Sequence, residues 1–341
     1  MRAIPALAAG MFVAYATSMR IPSYAVTFLL PLLALSQPVS GDELRCLATT
    51  GMIGDLVKAV VGDRGSVEVL MSPGVDPHLY QPTRSDLAKV LAADVIFYNG
   101  LHLEGRMDEA FARAQESGRS VCAVAEQLPK QSLLHDAEDP EAHDPHVWMD
   151  PKSWRMVLFA IRDRFGLLDP DGRAAYEFNT NSYLKNLEAL DVYASEVLQS
   201  VPAEVRVLVT AHDAFGYFGK RFEFEVIGLQ GISTESEASV HDVNRLVNLL
   251  VQRKIPAIFV ESTVPEKGIR ALIEGAKAQG HTVKIGGSLY SDAMGDAGTW
   301  SGTYLGMIDH NVTTIARALG GEAPQGGWRA SKNSLSPGSS P

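Results

Sequence analysis

The chain reads as an α/β protein: two β/α lobes, each on a four-stranded parallel-type sheet, joined by one long bridging helix. Three observations lead there. Short apolar runs rich in β-branched residues alternate with helical patterns through most of the chain. Four such runs fall in the first half and four in the second. Between the two sets lies a long segment with the pattern of a single helix.

In the first half the strand runs are LRCLATT (44–50), VEVLMS (67–72), DVIFYNG (94–100) and SVCAVAE (120–126). Helical patterns separate them, as in SDLAKVLAA (85–93) and RMDEAFARAQES (106–117). The second half repeats the rhythm with VRVLVTA (205–211), EVIGLQG (225–231), AIFVES (257–262) and TVKIGG (282–287). Its helices include VHDVNRLVNLLVQRK (240–254) and EKGIRALIEGAKAQG (266–280). Apolar strands alternating with helices suit parallel sheets covered on both faces. The bridging segment, 172–200, has no proline, and its only glycine is its first residue. Tyr176, Tyr183, Leu187 and Leu190 lie on one helical stripe. At 1.5 Å per residue this is a rod of roughly 40 Å, stiff enough to restrict motion between lobes.

These boundaries give an N-terminal lobe at 42–168, a bridging helix within 169–202 and a C-terminal lobe at 203–321. At 341 residues the chain is long enough for each lobe to have its own core. Residues 322–341, rich in Gly, Pro and Ser, read as a disordered tail. Residues 1–41 read as an export signal: AVTFLLPLLALS (25–36) has the length of a signal's apolar region, Arg20 precedes it, and small residues follow. Met19 is a candidate start, and Ala34-Leu35-Ser36 or Val39-Ser40-Gly41 a candidate cleavage site. The apolar run is short for a membrane span. Arg45 before Cys46 does not suit a lipid-attachment cysteine, so the expectation is a soluble exported protein without a lipid anchor.

Hydrophobic content of 46% and charged content of 21% are ordinary for a globular protein. A net charge of −10 argues against a nucleic-acid partner and is compatible with attracting cations. The two cysteines, Cys46 and Cys122, both sit in apolar runs and read as buried free thiols. They are too few for a thiolate metal site.

The chemistry lies in the histidines. Of nine, three fall where a strand gives way to a loop: His78, His146 and His212. Asp292, in GGSLYSDAMG, holds the matching place after the last strand. In open α/β sheets ligands bind beyond the carboxyl ends of strands. His78 and His146 share an Asp-Pro-His triplet, and proline stiffens each turn. Asp150-Pro151 then reads as an N-cap followed by proline at the first helical position. Three imidazoles and a carboxylate suit zinc, copper, nickel or iron; calcium or magnesium would prefer an all-oxygen shell. His241, His281 and His310 read as ordinary surface or helix residues, and His135 and His143 as part of a solvated loop, HDAEDPEAHD. His102, in GLHLEG, reads the same way despite lying just past a strand.

The motifs DPHLYQPT, HDPHVWMDP, TAHDAFGYFGKRF, GLQGISTESEAS, IFVEST and LYSDAMG, in this order from Asp76 to Gly295, resemble the TroA-like (cluster A-I) solute-binding proteins of metal ABC transporters. A more general similarity covers residues 43–320. The resemblance implies two lobes bridged by a long helix, with the family's metal ligands mapping onto His78, His146, His212 and Asp292. It also implies a periplasmic protein that carries one Zn²⁺ or Mn²⁺ to a membrane permease driven by a cytoplasmic ATPase; a monomer is the expected state. Histidine at the third ligand is usual in zinc-binding or dual members and glutamate in manganese-specific ones. His212 therefore favours zinc, whereas GLQGISTESEAS and LYSDAMG look like members associated with manganese as well. Glu261, closing IFVES, either orients a ligand histidine or caps the strand end. No GxxxxGK[ST] pattern occurs, so nucleotide hydrolysis belongs to another component. Competing readings are a zinc-dependent hydrolase, an adhesion protein with incidental metal binding, and a binding protein for an iron chelate. The chain lacks the HExxH helix that would pair a base with a catalytic zinc.

Overall fold

A computed structural model describes residues 43–334 apart from 137, 138 and 140. The expected export signal and the last residues of the expected tail lie outside the described residues. Among the described residues no helix is long and apolar enough to cross a membrane.

The first half runs β1 (Leu44–Ala48), α1 (Gly51–Val61), β2 (Gly65–Val69), α2 (Arg84–Ala92), β3 (Val95–Tyr98), α3 (Asp108–Glu116) and β4 (Ser120–Ala123). Its four strands form one parallel sheet in the order β2-β1-β3-β4. The carboxyl ends of all four strands therefore share one edge, which is where its loops can converge. Cys46 on β1 and Cys122 on β4 are buried free thiols with β3 between them. Two strand spacings, about 9–10 Å, exceed the reach of a disulfide. Burial pushes the Cys46 thiol up to about 12, so it is not a reactive thiolate.

Two long helices follow, α4 (Pro151–Leu168) and α5 (Arg173–Gln199). Asp150 caps α4 by accepting the N–H groups of Lys152 and Ser153, with Pro151 at the first helical position. The bridging helix buries Tyr176, Thr180, Leu187, Leu190, Ala194 and Val197 along one stripe. It packs against α1, α4 and α9 (below).

The second half contains β5 (Val207–Thr210), α6 (Gly216–Phe222), β6 (Glu225–Gly228), α7 (Val240–Gln252), β7 (Ala257–Glu261), α8 (Lys267–Ala278), β8 (Lys284–Leu289), α9 (Tyr304–Ala318) and α10 (Gly327–Ser334). It differs from the expected single four-stranded sheet. Among the described residues the strands pair as β5-β6 and β7-β8, both parallel, with β5 and β7 adjacent but not laddered. The backbone N–H of His212, just past β5, donates to the Glu261 side chain at 2.9 Å instead of to a β7 carbonyl.

Each half has an apolar cluster of its own, around Leu47, Ile96 and Phe111 in the first and Val209, Ile258 and Leu272 in the second. A further apolar cluster runs through both halves, from Phe97 and Val147 through Leu187 and Leu190 to Phe215, Phe259 and Met307. Tyr304 Oη donates to Trp148 O, and Trp148 Nε1 to Ser291 O, each at 2.8 Å, tying the halves by buried hydrogen bonds. The expected disorder from residue 322 is overturned at residues 327–334. The buried Asp309 carboxylate accepts the Trp328 N–H at 2.7 Å and the Trp300 Nε1–H at 2.9 Å. The Trp328 ring stacks on Trp300 at 6.1 Å. A Gly/Pro/Ser-rich composition misses this because one buried tryptophan supplies the anchoring.

Because Leu187 is buried in the shared cluster, Leu187→Ala should destabilise the protein by about 2–5 kcal/mol. Denaturant unfolding monitored by near- and far-UV circular dichroism should remain one transition. Two resolved transitions would contradict a common core.

Candidate metal centre

The structure brings His78, His146, His212 and Asp292 together. One ligand atom from each lies within 4.8 Å of all the others, and all four residues are buried. His78 sits on the loop between β2 and α2, and His146 between β4 and α4. His212 lies two residues past β5 and Asp292 three past β8. Strand-end loops from both halves thus meet across the molecule.

The inward atoms are the Nε2 nitrogens. His78 Nε2 and His146 Nε2 are 3.3 Å apart. Asp292 Oδ2 lies 3.1 Å from His212 Nε2 and 3.9 Å from His78 Nε2, and Asp292 Oδ1 lies 3.3 Å from His146 Nε2. Four donors at about 2.1 Å from a central ion, at the corners of a tetrahedron, stand about 3.4 Å from one another. The observed spacings bracket that value. Both Asp292 oxygens and His212 Nε2 are buried without a hydrogen-bond partner among the described residues. Orphaned buried polar atoms are costly unless something satisfies them. A cation would.

Two of the three rings are backed by carboxylates. Asp144 Oδ1 lies 2.7 Å from His146 Nδ1 and accepts the His146 backbone N–H at 2.9 Å. Glu261 Oε2 lies 2.6 Å from His212 Nδ1, while its Oε1 accepts the His212 backbone N–H. A proton held on Nδ1 by such a carboxylate leaves the Nε2 lone pair facing the pocket. Trp148 walls the far side of His146, with ring centroids 5.2 Å apart.

The electrostatics divide the rings. Burial opposes charge on His146, but Asp144 and Asp292 outweigh it and raise the imidazole to about 9. Burial opposes charge on His212 too, and there Glu261 and Asp292 raise it well above the usual value. Burial and the two neighbouring histidines push His78 down to about 3 against the pull of Asp292. Asp292 is held well below the carboxylate range by His212 and His146, in spite of its own burial.

The other histidines stay outside this group. His281 Nε2 lies 2.8 Å from Ile255 O and His310 Nε2 2.9 Å from Ser288 O. His102 and His143 line a cavity that opens beside His78. Sequence reasoning weighed Glu261 but missed Asp144, although the repeated triplet carried the signal: its aspartate, read only as a turn former, turns back onto the histidine.

The fold and the pocket together define an α/β metal-ion-binding protein. The model of the family described as "ZnuA: Zinc-uptake complex component A periplasmic" matches residues 46–318, and the chain belongs to that family. It is 49% identical over 285 residues to the zinc-binding protein TroA of Treponema pallidum (strain Nichols), covering 83% of this chain and 92% of that one. It is 46% identical over 278 residues to the manganese-binding lipoprotein MntA of Bacillus subtilis (strain 168), covering 82% and 90%. The solved structure of the periplasmic zinc-binding protein TroA from Treponema pallidum superposes with a TM-score of 0.79 at 47% identity, covering 82% of this chain and 99% of that one.

Replacing Glu261 by Gln should weaken divalent-ion affinity by about 10- to 100-fold while the stoichiometry stays unchanged in equilibrium dialysis. An ion competes with protons for the ring nitrogens, so zinc affinity should fall as pH is lowered from 8 to 6, with protons released on binding. Affinity flat across that interval would contradict coordination by imidazole.

Proposed function

We propose that this protein is the extracytoplasmic solute-binding component of a metal ABC transporter. In this reading it binds one divalent transition metal ion, Zn²⁺ or Mn²⁺, as cargo through His78, His146, His212 and Asp292. It then delivers the ion to a membrane permease for import, driven by a cytoplasmic ATPase. Glu261 and Asp144 orient His212 and His146. The observation that carries the reading is a buried pocket of four donors, one of them a carboxylate with both oxygens unsatisfied.

Four protein donors fill a tetrahedral shell and leave no open position for the activated water that a hydrolase needs. That favours capture over catalysis, and the protein acts without enzymatic turnover. Release then follows from a small rearrangement of the ligand loops rather than wide hinge closure, because the halves share apolar packing. The imidazoles favour zinc by ligand type, while relatives are named for both zinc and manganese. Several relatives are named lipoproteins, and they give no support to the expected anchor-free form.

Protein isolated from its native compartment should contain one equivalent of zinc or manganese by elemental analysis. His212→Ala should lose that metal and fail to support growth under metal limitation. Unchanged metal content in the variant would remove the pocket from the transport reading.

A further inference from the structure

The two Asp-Pro-His triplets fold alike and are anchored differently. In each, the aspartate Oδ1 accepts the backbone N–H of the histidine at 2.9 Å. The Asp144 turn is held from several sides. Tyr217 Oη donates to Asp144 O at 2.9 Å, Asn99 Nδ2 to Pro145 O at 3.0 Å, and the His146 ring closes on Asp144. Among the described residues the Asp76 turn has the Tyr80 N–H to Pro77 O bond at 3.3 Å within it and one hydrogen bond to the second half: Thr234 Oγ1 donates to Asp76 Oδ2 at 2.6 Å. Thr234 belongs to the loop between β6 and α7.

This turn is also on the wetter side of the site. His78 is 8% exposed, against 2% for Asp292 and 0% for the other two histidines, and the adjacent Leu79 is 45% exposed. Among the described residues no carboxylate lies behind the His78 ring as Asp144 and Glu261 lie behind the others. Asp76 and Thr234 both line a cavity of about 340 Å³ shared with Leu79 and Lys267, so water reaches this latch from outside. A hydroxyl-to-carboxylate bond is charge-assisted and stronger than a neutral one. Once it is lost, Oδ2 has water as its alternative, and no other hydrogen bond among the described residues joins Asp76 to the second half.

We propose that Thr234 is a positioning residue: its hydroxyl latches the Asp76 turn across the site and so sets how long His78 stays on the bound ion. The inference rests on the transport reading above. On this view the ion leaves by the His78 side, because the rings of His146 and His212 are each backed by a carboxylate.

The test measures zinc release from the full chain into excess chromophoric chelator by stopped flow. Thr234→Val, nearly isosteric, should release zinc roughly 10- to 100-fold faster, the range for losing one hydrogen bond to a charged group. Thr234→Ser should restore the wild-type rate. In a His78→Ala background, Thr234→Val should add nothing, because the latch acts only through that ring. An unchanged rate in Thr234→Val, a fast Thr234→Ser, or equal acceleration without His78 would each overturn the latch while leaving the site intact. Absence of stoichiometric zinc binding by the wild type would instead overturn the transport reading, and this inference with it.

Discussion

Three imidazoles and a carboxylate lie buried within 4.8 Å of one another, and most of the architecture is intelligible as a response to that crowding. Polar groups removed from water destabilise a fold unless they are paired. Here the pairing is supplied from behind, by Asp144 on His146 and Glu261 on His212, and from within, by Asp292. Asp144, Asp292 and Glu261 favour a proton on His146 and His212, whereas burial and the two neighbouring rings disfavour one on His78. A divalent ion would compete with those protons and stand between the rings and the buried Asp292 oxygens.

Parallel sheets make such a site easy to assemble. All the strands of the first sheet end on one edge, and the β5-β6 and β7-β8 pairs do the same in the second half. The loops of the two halves meet there. What keeps them in register is α5, together with an apolar cluster that does not stop at the boundary between halves. A hinge cut through that cluster would expose buried apolar surface. Adjustment is therefore concentrated in loops, and the loops differ: Tyr217 and Asn99 hold the backbone of the His146 turn, whereas Thr234 holds the Asp76 side chain of the His78 turn.

The family relationship agrees with this chemistry without choosing a metal. A zinc-binding and a manganese-binding relative stand at 49% and 46% identity, too close together for overall similarity to discriminate. Imidazole donors bind zinc more tightly than manganese whatever the protein transports. Selectivity in a carrier of this kind depends on metal supply and on release as much as on the donors, which places the ligand loops at the centre of the matter.

Much of this was legible in the residues alone. Periodicity gave the order of strands and helices and the long bridge, because backbone geometry imposes periods of two and 3.6 on apolar spacing. Strand-end position marked the three histidines and Asp292, since each lies only a few residues beyond a strand or beside a proline-stiffened turn. The remainder depended on contacts between residues far apart in the chain. Glu261 reaches His212 across 49 positions and Thr234 reaches Asp76 across 158. The break between β5 and β7, the core shared by both halves, and the helix anchored by Trp328 on Asp309 are of the same kind. Local propensity carries no record of such pairings; they exist only once the chain has closed on itself and each buried polar group has found the partner that geometry leaves available.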